Sequence, residues 1–207
     1  MHRYQKYTCF LFILILGLFS NLSAQSFHHI GIEDGLSQPS VMRIEQDGLG
    51  RMWFGTNEGV NIYDGTRVTT YKGYVSTADK GSLWLGNAVE HLKADKKGNM
   101  YIICNSNLFF YNLETDVFSQ LTGDGLTTAI EIVGDSVIYA NNDSIYVLSD
   151  GIDRPKSFMK LPARLVNFLL ADEGKLYIGT DKGLFVSDLN NLSAYTSVYL
   201  MKIYITS

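Results

Sequence analysis

From residue 41 onward, short apolar runs alternate with turn residues. Val41 to Glu45 carries apolar side chains at alternate positions, and further apolar runs follow at Met52 to Gly55, Val60 to Tyr63 and Val68 to Tyr71. The turns between them are Asp47-Gly48-Leu49-Gly50, Asn57-Glu58-Gly59 and Asp64-Gly65. A period of two between tight turns predicts four short antiparallel strands. Helical periodicity is essentially absent after residue 25.

This four-strand pattern recurs along the chain. Four segments align on the apolar anchors Trp53, Tyr101, Ile138 and Tyr177, which are 48, 37 and 39 residues apart. In every copy a second strand ends ten residues after the anchor, at Tyr63, Tyr111, Leu148 and Ser187. Four short antiparallel strands repeating about every forty residues are typical of a β-propeller blade. We therefore predict an all-β protein with about four four-stranded blades, one centred on each anchor.

An aspartate and a glycine recur in the turn before the anchor, at Asp47-x-x-Gly50, Asp95-x-x-Gly98 and Asp172-x-Gly174. These aspartates could be catalytic acids or calcium ligands. Alternatively, the carboxylate accepts a hydrogen bond from the backbone two residues on, while the glycine takes a left-handed conformation. Repetition favours this structural role, because a catalytic acid is needed once and a turn is needed in every blade.

The first residues form a different kind of segment. Arg3 and Lys6 precede an apolar run of 11 residues from Cys9 to Phe19, and the small residue Ala24 follows. The run is shorter than the roughly 20 residues of a bilayer span. We predict a secretory signal peptide over residues 1–24, with a partial propeller over residues 25–207. An uncleaved anchor or a buried helix is the alternative.

Charge and cysteine content narrow the functional classes. The 207 residues include 17 basic and 21 acidic side chains, a formal net charge of -4. This balance provides no basic surface for nucleic acid or an anionic membrane. Of the 2 cysteines, Cys9 lies in the predicted signal peptide, so no disulfide can form within the mature chain. Cys104 lies in an apolar stretch, and we predict a core residue rather than a nucleophile.

The repeat sequence resembles a known family. The segments that carry the likeness are Phe27 to Gln38, Ile44 to Asp47, Met52 to Val60 and Tyr63 to Gly65. They resemble the opening of the two-component regulator propeller repeat, and the likeness covers residues 27 to about 190 and is strongest in copies one and four. Copy two departs from the motif at Ile103-Cys104, where the family has Gly-Thr, and copy three lacks the turn pair.

The resemblance implies a fold, a location and partners. Family propellers have seven blades and form the periplasmic sensor of hybrid two-component systems, whose full-length members are anchored in the inner membrane and carry kinase and receiver modules. The implied ligand is an oligosaccharide, and the implied protein partners are the rest of the sensor or a second sensor chain, including a homodimer. These 207 residues contain no kinase motifs, so we expect a sensor fragment without enzymatic activity or cofactor, unable to perform the phosphorelay alone.

The two ends of the repeat region bear on ring closure. Phe27 to Ile30 matches Phe118 to Leu121, the outer strand of copy two, and is interpreted as an orphan outer strand. Copy four has its own outer-strand candidate at Ser197 to Ile205. The ring therefore does not close neatly, which indicates a truncated, frameshifted or partial sensor.

Two other functional classes remain open. A secreted propeller glycosidase or lyase would need paired carboxylates, whereas the acids here are scattered in turns. A stand-alone four-bladed interaction module is the other. We expect no metal site, because His28 and His29 alternate across the predicted strand and lack partners. Trp84, predicted in a loop between blades one and two, is a candidate for stacking on a sugar, although a buried position between blades is the more common role.

Overall fold

A computed structural model describes residues 27–77, 81–149 and 155–198. The predicted signal peptide, residues 1–24, lies outside these ranges. The chain divides into the units Met1–Ile30 and Gly31–Ser207, and the second unit contains every described strand. Its described part has 18 strands and one short 3₁₀ helix, Ile32–Asp34. No helix of the described residues is long and apolar enough to cross a membrane.

Four of the sheets have four antiparallel strands in sequential order, and these are the blades. Blade 1 consists of β1 (Arg43–Gln46), β2 (Met52–Thr56), β3 (Gly59–Tyr63) and β4 (Val68–Tyr71). A two-stranded sheet follows, made of β5 (Gly73–Ser76) and β6 (Ser82–Gly86). Blade 2 consists of β7 (Val89–Ala94), β8 (Met100–Cys104), β9 (Asn107–Asn112) and β10 (Val117–Gln120). Blade 3 consists of β11 (Thr127–Val133), β12 (Ser136–Asn141), β13 (Ser144–Ser149) and β14 (Lys156–Lys160). Blade 4 consists of β15 (Val166–Asp172), β16 (Lys175–Thr180), β17 (Gly183–Asp188) and β18 (Asn191–Val198).

The strand register confirms the alignment of the four copies. Each anchor lies on the second strand of its blade and pairs with the residue nine positions later on the third strand. The pairs are Trp53 with Ile62, Tyr101 with Phe110, Ile138 with Val147, and Tyr177 with Val186. The repeated register shows that the copies are the same structural unit.

The core lies between the blades, because side chains alternate across each sheet and every inner blade has two buried faces. Trp53 and Ile62 of blade 1 pack with Met100, Ile102 and Phe109 of blade 2. A second cluster joins Ile103 and Leu108 of blade 2 to Val137 and Tyr139 of blade 3. A third joins blades 3 and 4.

The four anchors lie on the same face of their blades, but they differ in how far they are buried. Trp53 and Ile138 are buried against the next blade, at 0% and 2% exposure. Tyr101 and Tyr177 are half-buried. Tyr177 alternates with Leu176 and Ile178, which pack against blade 3, so its ring lies on the other face of blade 4.

The recurring aspartates of blades 1 and 2 close turns, as predicted. Asp47 Oδ1 accepts hydrogen bonds of 3.0 Å from the backbone nitrogens of Leu49 and Arg51. Asp95 accepts equivalent bonds in blade 2. Asp47 is also buried, and its Oδ2 accepts hydrogen bonds from Arg51 Nε at 2.6 Å and Trp53 Nε1 at 2.8 Å. In blade 4, Asp172 ends β15 and the turn itself is Glu173-Gly174.

Three details of the predicted strand map are wrong. Residues 27–30 have no strand, so the orphan outer strand at Phe27 to Ile30 is absent. The outer strand of blade 4 begins at Asn191 rather than at Ser197, because the hairpin turn comes directly after Asp188, and the rest of the predicted strand, residues 199–205, lies outside the described residues. The first strand begins at Arg43 rather than at Val41, and the nitrogen of Met42 donates to the oxygen of Gly55, which is already the register partner of Arg43.

Candidate functional site

The first strands of neighbouring blades lie side by side, β1 next to β7, β7 next to β11 and β11 next to β15. The ladders of blades 2, 3 and 4 shift register near the start of the first strand, leaving Glu90, Thr128 and Asn167 as the extra residues. Met42 is the counterpart in blade 1, because its nitrogen donates to the oxygen of Gly55, the partner of Arg43. Bulges redirect side chains at strand ends. We call this end of the blades the bulge end.

An open pocket of about 350 Å³ lies at the bulge end. Blades 1, 2 and 3 all contribute to it, through Met42, Arg43, Asn57, Val89, Glu90, His91, Ser106 and Thr128. Six of these side chains carry a charge or an amide, hydroxyl or imidazole group, and only Met42 and Val89 are apolar. We call this cavity the bulge pocket.

Three polar groups of the bulge pocket differ in how they are held. The Glu90 carboxylate accepts hydrogen bonds from the nitrogen of Ser106 at 2.9 Å and from its hydroxyl at 3.4 Å. Burial lowers the pKa of His91 to about 4, with contributions from Arg43 and Lys93, so the imidazole is neutral at pH 7. The Thr128 hydroxyl oxygen is buried without a hydrogen-bond partner. The bulge pocket thus contains a cationic donor, an anionic acceptor and neutral polar groups, and this combination suits a hydroxyl-rich ligand.

A row of three charges crosses the first strands beyond the bulge pocket. Lys93 Nζ lies 3.2 and 3.1 Å from the two carboxylate oxygens of Glu131, which is buried. Burial raises the pKa of Glu45, and the Glu131 charge adds to this effect while Lys93 opposes it. Lys93 of blade 2 therefore forms an ion pair with Glu131 of blade 3 and acts on the Glu45 carboxylate of blade 1 through its charge.

Trp84 lies on a strand, not in a loop as predicted. β5 and β6 form a hairpin between blades 1 and 2, in which Trp84 pairs with Tyr74. Trp84 is 53% exposed, so the buried position between blades is wrong. Its ring lies edge-on to that of Tyr74, with the centroids 5.0 Å apart. We call this two-stranded sheet the aromatic hairpin.

The remaining candidates lie elsewhere. Cys104 is fully buried in the core, as predicted, and burial raises the pKa of its thiol to about 12. Among the described residues, no group of three or more His, Cys, Asp or Glu side chains is placed to hold a metal ion. A second cavity, of about 500 Å³, includes Asp95 and Asn99. Their side chains bond to each other and to the turn backbone.

The blades, their register and their inner-strand contacts define the class of protein as a β-propeller. The fold is similar to the WD40 β-propeller domain of Doa1, with a TM-score of 0.56 over 72% of this chain and 51% of that one, at 15% identity. Residues 35–58 match the family model of the two component regulator propeller. The repeat class expected from the sequence is therefore confirmed, and this match covers β1, β2 and the turns on either side.

One similar protein is a histidine kinase, and another is the extracellular domain of a hybrid two-component system. The chain is 28% identical to the extracellular domain of BT3049 from B. thetaiotaomicron, described as a hybrid two-component system, over 83% of this chain with a TM-score of 0.68. It is 44% identical to histidine kinase P4 of Formosa agariphila over 63 residues, 30% of this chain. The chain spans 26% of the length of the BT3049 domain and 4% of that of the kinase.

Sequence reasoning missed the aromatic hairpin and the bulges. Two glycines, Gly73 and Gly86, enclose the alternating runs Tyr74-Val75-Ser76 and Ser82-Leu83-Trp84-Leu85, and this period-two pattern could have revealed the hairpin. The extra residues of the hairpin also explain why the anchors Trp53 and Tyr101 are 48 residues apart, whereas the later anchors are 37 and 39 residues apart. The bulges have no comparable signal, because each involves one unremarkable residue.

Proposed function

We propose that this chain is a ligand-sensing part of the extracellular domain of a two-component sensor, and that its ligand is an oligosaccharide. The observation that carries the proposal is the likeness to the BT3049 extracellular domain, which combines 28% identity with coverage of 83% of this chain. The bulge pocket supports it. A neutral imidazole, a carboxylate, a guanidinium and a free hydroxyl oxygen offer hydrogen bonds to sugar hydroxyls at neutral pH.

The outer faces of the terminal blades support a partnership with further blades. Ile44 of blade 1 is 60% exposed, whereas its register counterparts Leu92, Ile130 and Leu169 are buried by the preceding blade. On the far face of blade 4, Phe168 and Leu170 are exposed. Faces of this kind bind neighbouring blades in repeat proteins. In this proposal, they contact the rest of a seven-bladed sensor propeller or a second sensor chain, as in a homodimer.

We further propose that the chain acts in the periplasm after cleavage behind Ala24 and that it binds its ligand without converting it. The carboxylates nearest the bulge pocket support a non-catalytic role. Glu90 is held by Ser106 and Glu131 by Lys93, so neither is placed as a free acid. Mass spectrometry of the exported protein should find Met1 absent, and an intact Met1 would contradict export with cleavage.

The ligand test uses purified chain and isothermal titration calorimetry. The probes are neutral cello-, manno- and xylo-oligosaccharides and acidic oligouronates. We expect saturable binding of at least one probe, and weaker binding by Arg43→Ala and Thr128→Val, which alter the bulge pocket. Chromatography of the probe after incubation should show no new product. Turnover would favour the secreted enzyme instead, and absence of binding together with capture of a protein would favour the interaction module.

A further inference from the structure

The aromatic hairpin is an addition to the blade plan. Residues 121–126 suffice to connect blade 2 to blade 3, and residues 161–165 connect blade 3 to blade 4. The connection from blade 1 to blade 2 instead spans residues 72–88 and contains β5 and β6. Blades 2, 3 and 4 are joined without such a sheet, which raises the question of what it contributes between blades 1 and 2.

One side of the aromatic hairpin is anchored in the core. Val75 and Leu85 are buried in the same cluster as Phe118, between blades 1 and 2. At its base, the side-chain oxygen of Asn105 accepts hydrogen bonds from the nitrogens of Asn87 and Ala88. A Cβ on Gly86, whose φ is +90°, would lie 2.2 Å from that oxygen, so glycine is needed there. The hairpin is thus fixed to the bulge end of the blades.

The other side of the aromatic hairpin presents two rings to solvent. Tyr74 is 71% exposed and Trp84 is 53% exposed. Both rings lie on the face of the hairpin that points away from the buried Val75 and Leu85. Ser76 and Ser82, the next pair on the same side, are also exposed. Two aromatic rings are therefore flanked by hydroxyl groups on a firmly held support.

The size and chemistry of this surface select its occupant. Two rings offer at most a few hundred Å², well below the roughly 800 Å² that each partner buries in a stable protein interface. A pyranose ring fits this area, because its C–H face packs on the electron-rich face of an aromatic ring while its hydroxyls reach the serines. Near the hairpin base, the exposed Lys72 Nζ lies 4.0 Å from Glu58 Oε2, so their opposite charges offset each other. The surroundings therefore favour an uncharged ligand.

We propose that Tyr74 and Trp84 form a stacking platform for a pyranose unit of the oligosaccharide. This inference rests on the proposed sensing function and assigns it a site that is separate from the bulge pocket, although both lie at the bulge end. The extra sheet then has a purpose, namely to hold two adjacent aromatic rings in solvent at the bulge end of the blades.

The test compares Trp84→Ala, Tyr74→Ala and Trp84→Phe with the parent chain, using the oligosaccharide probe that binds most tightly in calorimetry. We expect each alanine variant to bind at least about fivefold more weakly, since stacking on one aromatic side chain contributes about 1–3 kcal/mol in nucleic-acid complexes. Trp84→Phe should retain most of the affinity because a ring remains.

Tyr195→Ala is the matched control. Tyr195 is an exposed ring on blade 4 that also lies edge-on to a neighbouring ring, that of Phe185, at 5.3 Å. Its replacement should leave affinity unchanged, and circular dichroism should show all variants folded. If the parent chain binds and Trp84→Ala binds equally well, the platform is refuted and the sensing function stands. If the parent chain binds none of the probes, both proposals fail.

Discussion

Replacing Trp53 by alanine should be among the most destabilising single changes in this chain. The indole is fully buried between blades 1 and 2 and lies edge-on to Tyr111, with the ring centroids 4.8 Å apart. Its Nε1 donates to Asp47 Oδ2, and the Arg51 guanidinium lies 6.0 Å from the ring centroid. The substitution removes the largest side chain of this interface and one hydrogen bond to a buried carboxylate.

The magnitude follows from these contacts. A tryptophan buries up to about 250 Å², and at about 25 cal/mol per Å² the upper limit is near 6 kcal/mol. Partial collapse of the cavity and the remaining Cβ reduce this to about 3–5 kcal/mol. Trp53→Phe keeps a ring in place but loses the indole N–H. Asp47 Oδ2 keeps its bond to Arg51, so about 1–2 kcal/mol is expected for this variant.

Urea denaturation followed by far-ultraviolet circular dichroism measures the free energy of unfolding. The chain contains 2 tryptophans, and the exposed Trp84 provides a matched control. Trp84→Ala removes the same side chain but should change stability by no more than about 0.5 kcal/mol. Equal losses in Trp53→Ala and Trp84→Ala, or no loss in Trp53→Ala, would refute the assignment of Trp53 to the interface between blades. If Trp53→Ala does not fold, Trp53→Phe still supplies the graded comparison.

Three further predictions test the turn, the bulge pocket and the blade faces. Asp47→Ala should lower the free energy of unfolding by about 3–5 kcal/mol because it leaves buried donors unpaired. Asp95 is the partly exposed counterpart in blade 2, and Asp95→Ala should cost only about 1 kcal/mol in the same urea assay. Similar losses for the two variants would contradict the difference in burial. The folded state lowers the pKa of His91 from 6.5 to about 4 and so binds fewer protons than the unfolded state. The contribution of His91 to stability should therefore fall as pH drops from 6.5 to 4, by on the order of 2 kcal/mol after allowance for partial solvent exposure. Urea titrations at several pH values should show that His91→Asn makes the free energy of unfolding less dependent on pH in this range. An unchanged pH dependence would contradict the burial of a neutral His91. Leu92→Ala should cost about 2–5 kcal/mol, whereas Ile44→Ala, at the equivalent exposed position, should cost no more than about 0.5 kcal/mol, and a large loss for Ile44→Ala would mean that this face is covered in solution.

The blades themselves could be predicted because their information is local. Alternating apolar residues select strands, the Asp-Gly turns select hairpins, and a fixed offset of nine or ten residues between strands makes the copies visible in one dimension. This reasoning placed Trp53 and Ile138 at equivalent positions of their blades correctly. It placed Tyr101 and Tyr177 at the same register but could not state their burial, since this depends on what the neighbouring blade supplies.

The candidate site depends on contacts that cross from blade to blade. Arg43, His91 and Thr128 are far apart in sequence and meet only because the first strands of three blades lie side by side. The pairing of Lys93 with Glu131 likewise joins blades 2 and 3. No local pattern encodes such neighbours, because each blade forms its own hydrogen bonds internally and leaves the choice of contacts between blades to packing.

The sequence by itself determined the all-β class, the four copies, the structural role of the recurring aspartates in blades 1 and 2 and the family resemblance. Only the tertiary structure decided that Trp84 is exposed and paired with Tyr74, that bulges redirect the first strands, and that the outer face of blade 1 leaves Ile44 uncovered. The physical reason is the same in each case. Strand and turn formation depends on residues close in sequence, whereas exposure and side-chain direction depend on whether another blade packs against a given face.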